Sequence, residues 1–370
     1  MRVEVERNEK INEFLSAHDI SGGDPLAARL PLTLRSALWG GALMFGFGLI
    51  YMIGLAALSR VLMPRADIVA SMDDRFNQIN FGFIFPFIAF YYLWQPERIA
   101  RTYRDILAHV YQKQLLNDLQ MHLRRLHANP LWWQMGLLFA ALGMAAGTYD
   151  NFLKLGKIWY AANWGMIAGL QLFRGFIFYF LFLIVSRHLA FAIGLRRLFQ
   201  HVEIPLITGA TDHITEIRSL GDYALSFLLV VAVVGLNIGL GPLLTSARGL
   251  DYPYQVAIYL TIAPLSFFLP MWRAHLKMKK TKEKLLEQLT GKYQRSYQDV
   301  LANLNADDAR TSKEIEELKS IHDFLTLVKS GWSWPFNAGL LGRAVLVCLS
   351  PLVPLFLDYV VRWVIRLLFS

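Results

Sequence analysis

YAANWGMIAGLQLFRGFIFYFLFLIVS, residues 160–186, holds one formally charged side chain, Arg174, in 27 residues. A helix needs roughly 20 apolar residues to cross about 30 Å of hydrocarbon. This run meets that length. It opens on Trp159, Tyr160 and Trp164, the residue types that gather where a bilayer meets water, and closes on Arg187. Backbone polar groups find no water inside a bilayer, so a run of this kind must be helical.

Five further runs resemble it, at about 37–60, 79–96, 131–150, 222–246 and 254–272. A seventh, about 336–369, is apolar but interrupted. The period-two alternation of a membrane barrel is absent. Composition agrees: 55% of the 370 residues are hydrophobic and 18% are charged, and the charges come in blocks between the apolar runs. A soluble protein would carry about 25% charged residues. The expectation is an all-α, polytopic helical membrane protein with six to seven transmembrane segments and extended cytoplasmic helices, placed in the cell membrane.

Lysine and arginine orient it. Residues 97–130 hold Arg98, Arg101, Arg104, Lys113, Arg124 and Arg125, residues 187–221 hold Arg187, Arg196, Arg197 and Arg218, and residues 273–335 hold twelve basic side chains. The intervening loops carry fewer: Arg60, Arg65 and Arg75, then Lys154 and Lys157, then Arg248. The positive-inside rule puts the first three segments and the N-terminus in the cytoplasm. Trp94, Trp132, Trp133 and Trp272 then mark inner ends. The net charge of +9 follows from these basic loops and needs no nucleic-acid partner.

Four parts result. Residues 1–35 begin MRVEVER, lack the apolar core of a signal peptide, and read as a cytoplasmic tail. Residues 36–272 form a membrane bundle of three helical hairpins, with cytoplasmic helical segments at 97–130 and 187–221. The first of these segments has no Pro or Gly from Glu97 to Ala128, so it either folds into a hairpin or lies along the membrane. In the second, a break at Pro205 and Gly209 is expected, with Gly221-Asp222 capping the helix that follows. Residues 273–335 read as a cytoplasmic helical hairpin, with a Thr311-x-x-Glu314 capping box and a seam of Ile315, Leu318, Ile321, Leu325 and Val328. Its lysines Lys277, Lys279, Lys280 and Lys282 are candidates for contact with anionic lipid head groups. Residues 336–370 form a C-terminal membrane segment broken by Pro351 and Pro354.

The chemistry-bearing candidates are few. Arg174 sits near mid-membrane, where a charge costs at least about 2.5 kcal/mol, so it should face the bundle or a polar path. Gln171, one turn away, shares its face. Arg343 and the four-residue repeat Asp358, Arg362, Arg366 lay charge on the C-terminal segment. These six are the candidates for a pore or polar path. His201, Glu203, Asp212, His213 and Glu216 cluster in the 187–221 segment, but a single His213/Glu216 face is too common to assign a metal. Cys348, the one cysteine, reads as a packing residue, and no cofactor is called for.

No P-loop, H-E-x-x-H, G-x-S-x-G or paired membrane carboxylates occur, which argues against an enzyme. The reading is an oligomeric ion channel or transport-like protein with a cytoplasmic helical gating or coupling region. The rival is a non-catalytic scaffold or sensor whose basic helices bind a cytoplasmic partner protein or anionic lipid. In a Cys348→Ala background, Lys154→Cys and Arg248→Cys should react with an impermeant thiol reagent from outside the cell, while Lys113→Cys and Lys282→Cys should not. The reverse pattern would invert the topology.

Overall fold

A computed structural model describes residues 16–21, 24–30, 32–63, 69–107, 113–201, 215–244, 252–303, 308–330, 334, 338–354, 356–357, 359–360 and 363–364. Among them the fold is all-α, apart from one isolated β-bridge between Val69 and Ile158. A short helix α1, Ala17–Ile20, is followed by α2, Leu34–Leu58. Then come α3 (75–107), α4 (Lys113–His127), α5 (Leu131–Leu153), α6 (Trp164–His201), α7 (Thr215–Leu244), α8 (Tyr252–Asn303), α9 (Asp308–Ser330) and α10 (Ala338–Leu349). The loops at 59–74 and 154–163 meet through the Val69–Ile158 bridge and define one end of the bundle, the loop end. The basic segments leave from the other, the basic end.

Five helical stretches are long and apolar enough to cross a membrane: Leu34–Leu58, Asn117–Leu153, Trp164–Gln200, Ser219–Gly241 and Gln255–Leu301. This supports a multi-pass membrane protein. The sixth expected span, 79–96, is helical throughout but falls short of that apolarity. The reason is its place. Ile88, Ala89, Tyr91, Tyr92, Leu93, Gln95, Pro96 and Ile99 are buried, so α3 is largely enclosed by protein and is free to carry tyrosine and glutamine. The seventh run does not form a full span among the described residues. Its helix ends at Leu349, and a 3-10 turn, Ser350–Leu352, follows at Pro351. That turn lies against α7, where Gly239 leaves room for the Pro351 carbonyl, and Tyr259 donates to the Cys348 carbonyl at 2.9 Å.

Close approach organises the membrane part. Gly40, Gly41 and Gly48 bring α2 against Leu93, Pro86 and Phe81 of α3. Gly136, Gly143 and Gly147 bring α5 against Tyr179, Phe178 and Arg174 of α6. Two wide π turns, Ile50–Leu55 in α2 and Asn80–Ile84 in α3, lie near the loop end. The second immediately precedes Phe85-Pro86, where proline lacks the N–H that a regular helix would use. Tyr51, Phe81, Phe173 and Trp159 pack there with ring centroids 4.9–5.6 Å apart. Trp159, expected in an interfacial belt, is instead fully buried and donates to Asp74 Oδ2 at 2.9 Å.

At the basic end the helices continue past the membrane. α4 packs on α6 and α1, and its Leu119 and Leu123 are buried in a core with Tyr103, Phe191 and Leu195. α7 is already helical at Thr215 and runs through Gly221-Asp222, which therefore do not cap it. The expected break at Pro205 and Gly209, and the cluster Glu203, Asp212 and His213, lie outside the described residues. α8 is one helix of 52 residues, about 78 Å at ~1.5 Å per residue, passing from the membrane run into the hairpin arm without interruption.

The hairpin of α8 and α9 buries Ile321, Leu325 and Val328 together with Val300, while Leu318 is half-buried and Ile315 exposed. Lys292 and Glu317 pair across it at 3.2 Å. Placing Asp at both Ile321 and Leu325 buries two unpaired charges at a cost of several kcal/mol. This double variant should lose the protease resistance of residues 275–330 while the membrane bundle stays folded. Unchanged resistance would show that this seam does not hold the arms together.

Candidate functional site

α6 is the spine of the molecule: 38 residues, about 57 Å, packed against α3, α4, α5 and α8. Its apolar length is interrupted by polar side chains at two depths. Each interruption is completed by other helices.

The first lies toward the basic end. Arg187 and Asp24 form an ion pair at 3.0 Å, with side-chain exposures of 5% and 1%. Asp24 comes from the N-terminal segment, which is held by burial of Ile20 and Ala27 and by an Asp19–Arg124 contact at 3.3 Å. The tail expected to be wholly cytoplasmic thus supplies a buried anion to the bundle. The carboxylate accepts from Tyr92 and Tyr179 hydroxyls, the latter at 2.8 Å, and from the Leu26 N–H at 3.1 Å. The guanidinium donates to the Tyr92 carbonyl at 2.9 Å and lies 4.7 Å from the Tyr92 ring centroid. Beside it Gln95 donates to the Ile184 carbonyl at 2.9 Å and to the Tyr223 hydroxyl at 3.3 Å. His188 Nδ1 lies 3.2 Å from the same hydroxyl, and its ring stacks on Phe227 at 3.6 Å. Tyr91 and Ser226 extend the layer at 3.2 Å. Gln95 Oε1 and Arg187 Nε are buried without a hydrogen-bond partner.

The second lies nearer the loop end, where α5 and α6 cross at Gly147. Arg174 Nη1 and Gln171 Oε1 both lie over this glycine, so closely that a methyl group there would strike them. Gln171 is buried, and neither its oxygen nor its nitrogen has a partner. Asn151, one turn beyond Gly147 on α5, is fully buried with both side-chain atoms unpartnered. Arg174 is half-buried and makes no ion pair or hydrogen bond among the described residues. Gln171 and Arg174 therefore share one face over Gly147, and Asn151 lies one turn along α5 from that glycine.

The other predicted positions stand apart. Arg343 is exposed on α10, a helix that packs on α7 and α8 and not on the Arg174 site. Asp358, Arg362 and Arg366 lie outside the described residues. Lys279 and Lys280 are exposed and Lys277 half-buried, whereas Lys282 donates to the Lys329 carbonyl at 2.8 Å and so also fastens the hairpin. An apolar cavity of about 460 Å³ opens between α2, α3 and α6, lined by Leu43, Phe47, Tyr51, Tyr92, Leu172 and Phe176. It carries no charged side chain. Among the described residues no group of three or more His, Cys, Asp or Glu is arranged to hold a metal ion.

Sequence reasoning missed the Asp24–Arg187 pair. Arg187 reads as the basic flank of a span. The signal against that reading is the apolar run LAFAIGL, residues 189–195, which continues beyond Arg187-His188. Asp24 carries no local signal, because its partner is 163 residues away.

Compared with known protein families, with curated proteins and with solved structures, the chain matches none.

Breaking a buried pair by removing one partner costs about 3–5 kcal/mol, because the other charge is left alone. Asp24→Ala should therefore lower the melting temperature strongly. Asp24→Leu combined with Arg187→Met should recover most of the loss. A double variant as unstable as the single one would show that the two charges do not act as a pair.

Proposed function

We propose that this chain is a transport-type membrane protein, a channel or carrier, with a polar path that follows α6. One observation carries the reading. Buried polar atoms without partners occur on or beside α6 at two depths: Gln171 with Asn151, and Gln95 Oε1 with Arg187 Nε. Burying such a group without a partner costs about 1–3 kcal/mol. Leucine would avoid the cost, so polar groups kept in a membrane bundle point to water or a passing solute. The path is non-catalytic, and the protein assembles as a homo-oligomer within the lipid. With the N-terminus inside the cell, the α8–α9 hairpin projects into the cytoplasm, where it gates the path or couples it to a partner protein.

A second reading, the scaffold or sensor, is favoured by a specific observation of its own. The exposed lysines of α8, Lys279, Lys280 and Lys284, face solvent on a hairpin whose interior is already closed. Such a surface suits an acidic partner or anionic head groups.

Reconstituted vesicles separate the two. Gln171→Leu removes an unsatisfied amide, so on the transport reading it should raise the melting temperature by a few degrees and cut solute flux at least tenfold. Wild-type protein that moves no ion, together with a Gln171→Leu variant that is only more stable, would favour the scaffold.

A further inference from the structure

We infer that the Arg174 site binds an anion, with Arg174 and Gln171 as its ligands and Gly147 as the floor on which their side chains rest. The inference rests on the transport reading for its setting and names the class of solute the site takes.

Charge comes first. Arg174 brings a guanidinium, a positive group, to the site. That charge has no carboxylate partner among the described residues. The acidic groups in its neighbourhood are engaged elsewhere. Asp150 pairs with Lys154 at 2.7 Å, and Asp74 accepts from Trp159 Nε1 at 2.9 Å and from Asn77 Nδ2 at 2.6 Å. Arg187 shows the contrast: on the same helix, a guanidinium of the bundle has a built-in carboxylate at 3.0 Å. Among the described residues Arg174 has none.

The donors come second. Gln171 is more than nine-tenths buried and Asn151 wholly so, and each has an amide nitrogen with no acceptor. Gln171 lies beside the guanidinium over Gly147, so its unpartnered amide N–H can join the guanidinium N–H groups as a donor, the combination that binds chloride, nitrate, phosphate or a carboxylate.

The floor comes third. Both Arg174 Nη1 and Gln171 Oε1 rest over Gly147. A side chain on α6 leans toward its own N-terminus, which for this helix is the loop end. Arg174 therefore points toward the nearer surface, from which the anion arrives. Two sources share this chemistry, a free small anion and the phosphate of a lipid head group.

The test is equilibrium binding on the purified full chain in a phosphate-free maltoside detergent. Melting temperature is followed against sodium chloride, nitrate or phosphate, with Arg174→Gln titrated in parallel at the same ionic strength. Native mass spectrometry of the same samples reads retained phospholipid. Wild-type protein should show a saturable rise of several degrees with at least one small anion, or should retain phospholipid. The first result assigns a free anion and the second a head-group phosphate. Arg174→Gln should abolish either response, and Arg174→Lys should weaken it. Gly147→Ala, whose methyl group displaces the Arg174 and Gln171 side chains without removing the guanidinium, should weaken it, which guards against a poorly folded Arg174 variant. A response in Arg174→Gln equal to wild type, or no response and no retained phospholipid in wild type, would overturn the site. Flux without anion binding would reject this site and keep the transport reading; anion binding without flux would do the opposite.

Discussion

One carboxylate and one guanidinium, shielded almost completely from water at 3.0 Å, tie the first part of the chain to its central helix. Neither charge is tolerable alone in that setting. The desolvation of each is offset only if its remaining hydrogen-bonding capacity is met, and here two tyrosine hydroxyls and two backbone groups meet most of it. The requirement spreads outward. Tyr92 must be on α3 and Tyr179 on α6 at matching depth, so the register of those helices is fixed by the pair. The N-terminal segment must lie against the basic end, and Ile20 and Ala27 bury themselves to hold it there.

Around this pair the membrane part of the bundle is organised by size and not by charge. Small residues on α2 and α5 let their helices approach the aromatic faces of α3 and α6, gaining dispersion contact where lipid offers no hydrophobic force between helices. Gly147 belongs to this series by position. Its neighbours are Arg174 and Gln171 where those of Gly136 and Gly143 are tyrosine and phenylalanine. The same packing device that closes the interface elsewhere brings two polar side chains against the glycine here. α6 thus joins two environments, one with its charge neutralised internally and one with its charge open.

The spans at 37–60, 131–150, 160–186, 222–246 and 254–272 were legible because lipid tolerates little but apolar side chains, and that demand is written locally. The helix at 79–96 was legible as apolar but not as the enclosed member, since enclosure depends on its neighbours. Arg174 and Gln171 could be placed together because three residues on a helix make nearly one turn, and the structure adds Gly147 from a helix that sequence spacing cannot bring near. The Asp24–Arg187 pair was illegible for the same reason: its partners are joined only by the fold. The unbroken α8 was hidden by the change from apolar to basic residues at Arg273, which alters the solvent and not the backbone.

A polar path along α6 requires that the polar groups on and beside it meet water within the bundle. Cysteine accessibility tests it most directly, using Gln171→Cys, Gln95→Cys and, as dry controls, Ile177→Cys and Leu183→Cys in a Cys348→Ala background. In native membranes a small charged thiosulfonate should modify positions 171 and 95 at rates at least tenfold above the controls. Equal, negligible modification at all four positions would contradict it, and would leave these side chains as sealed structural contacts.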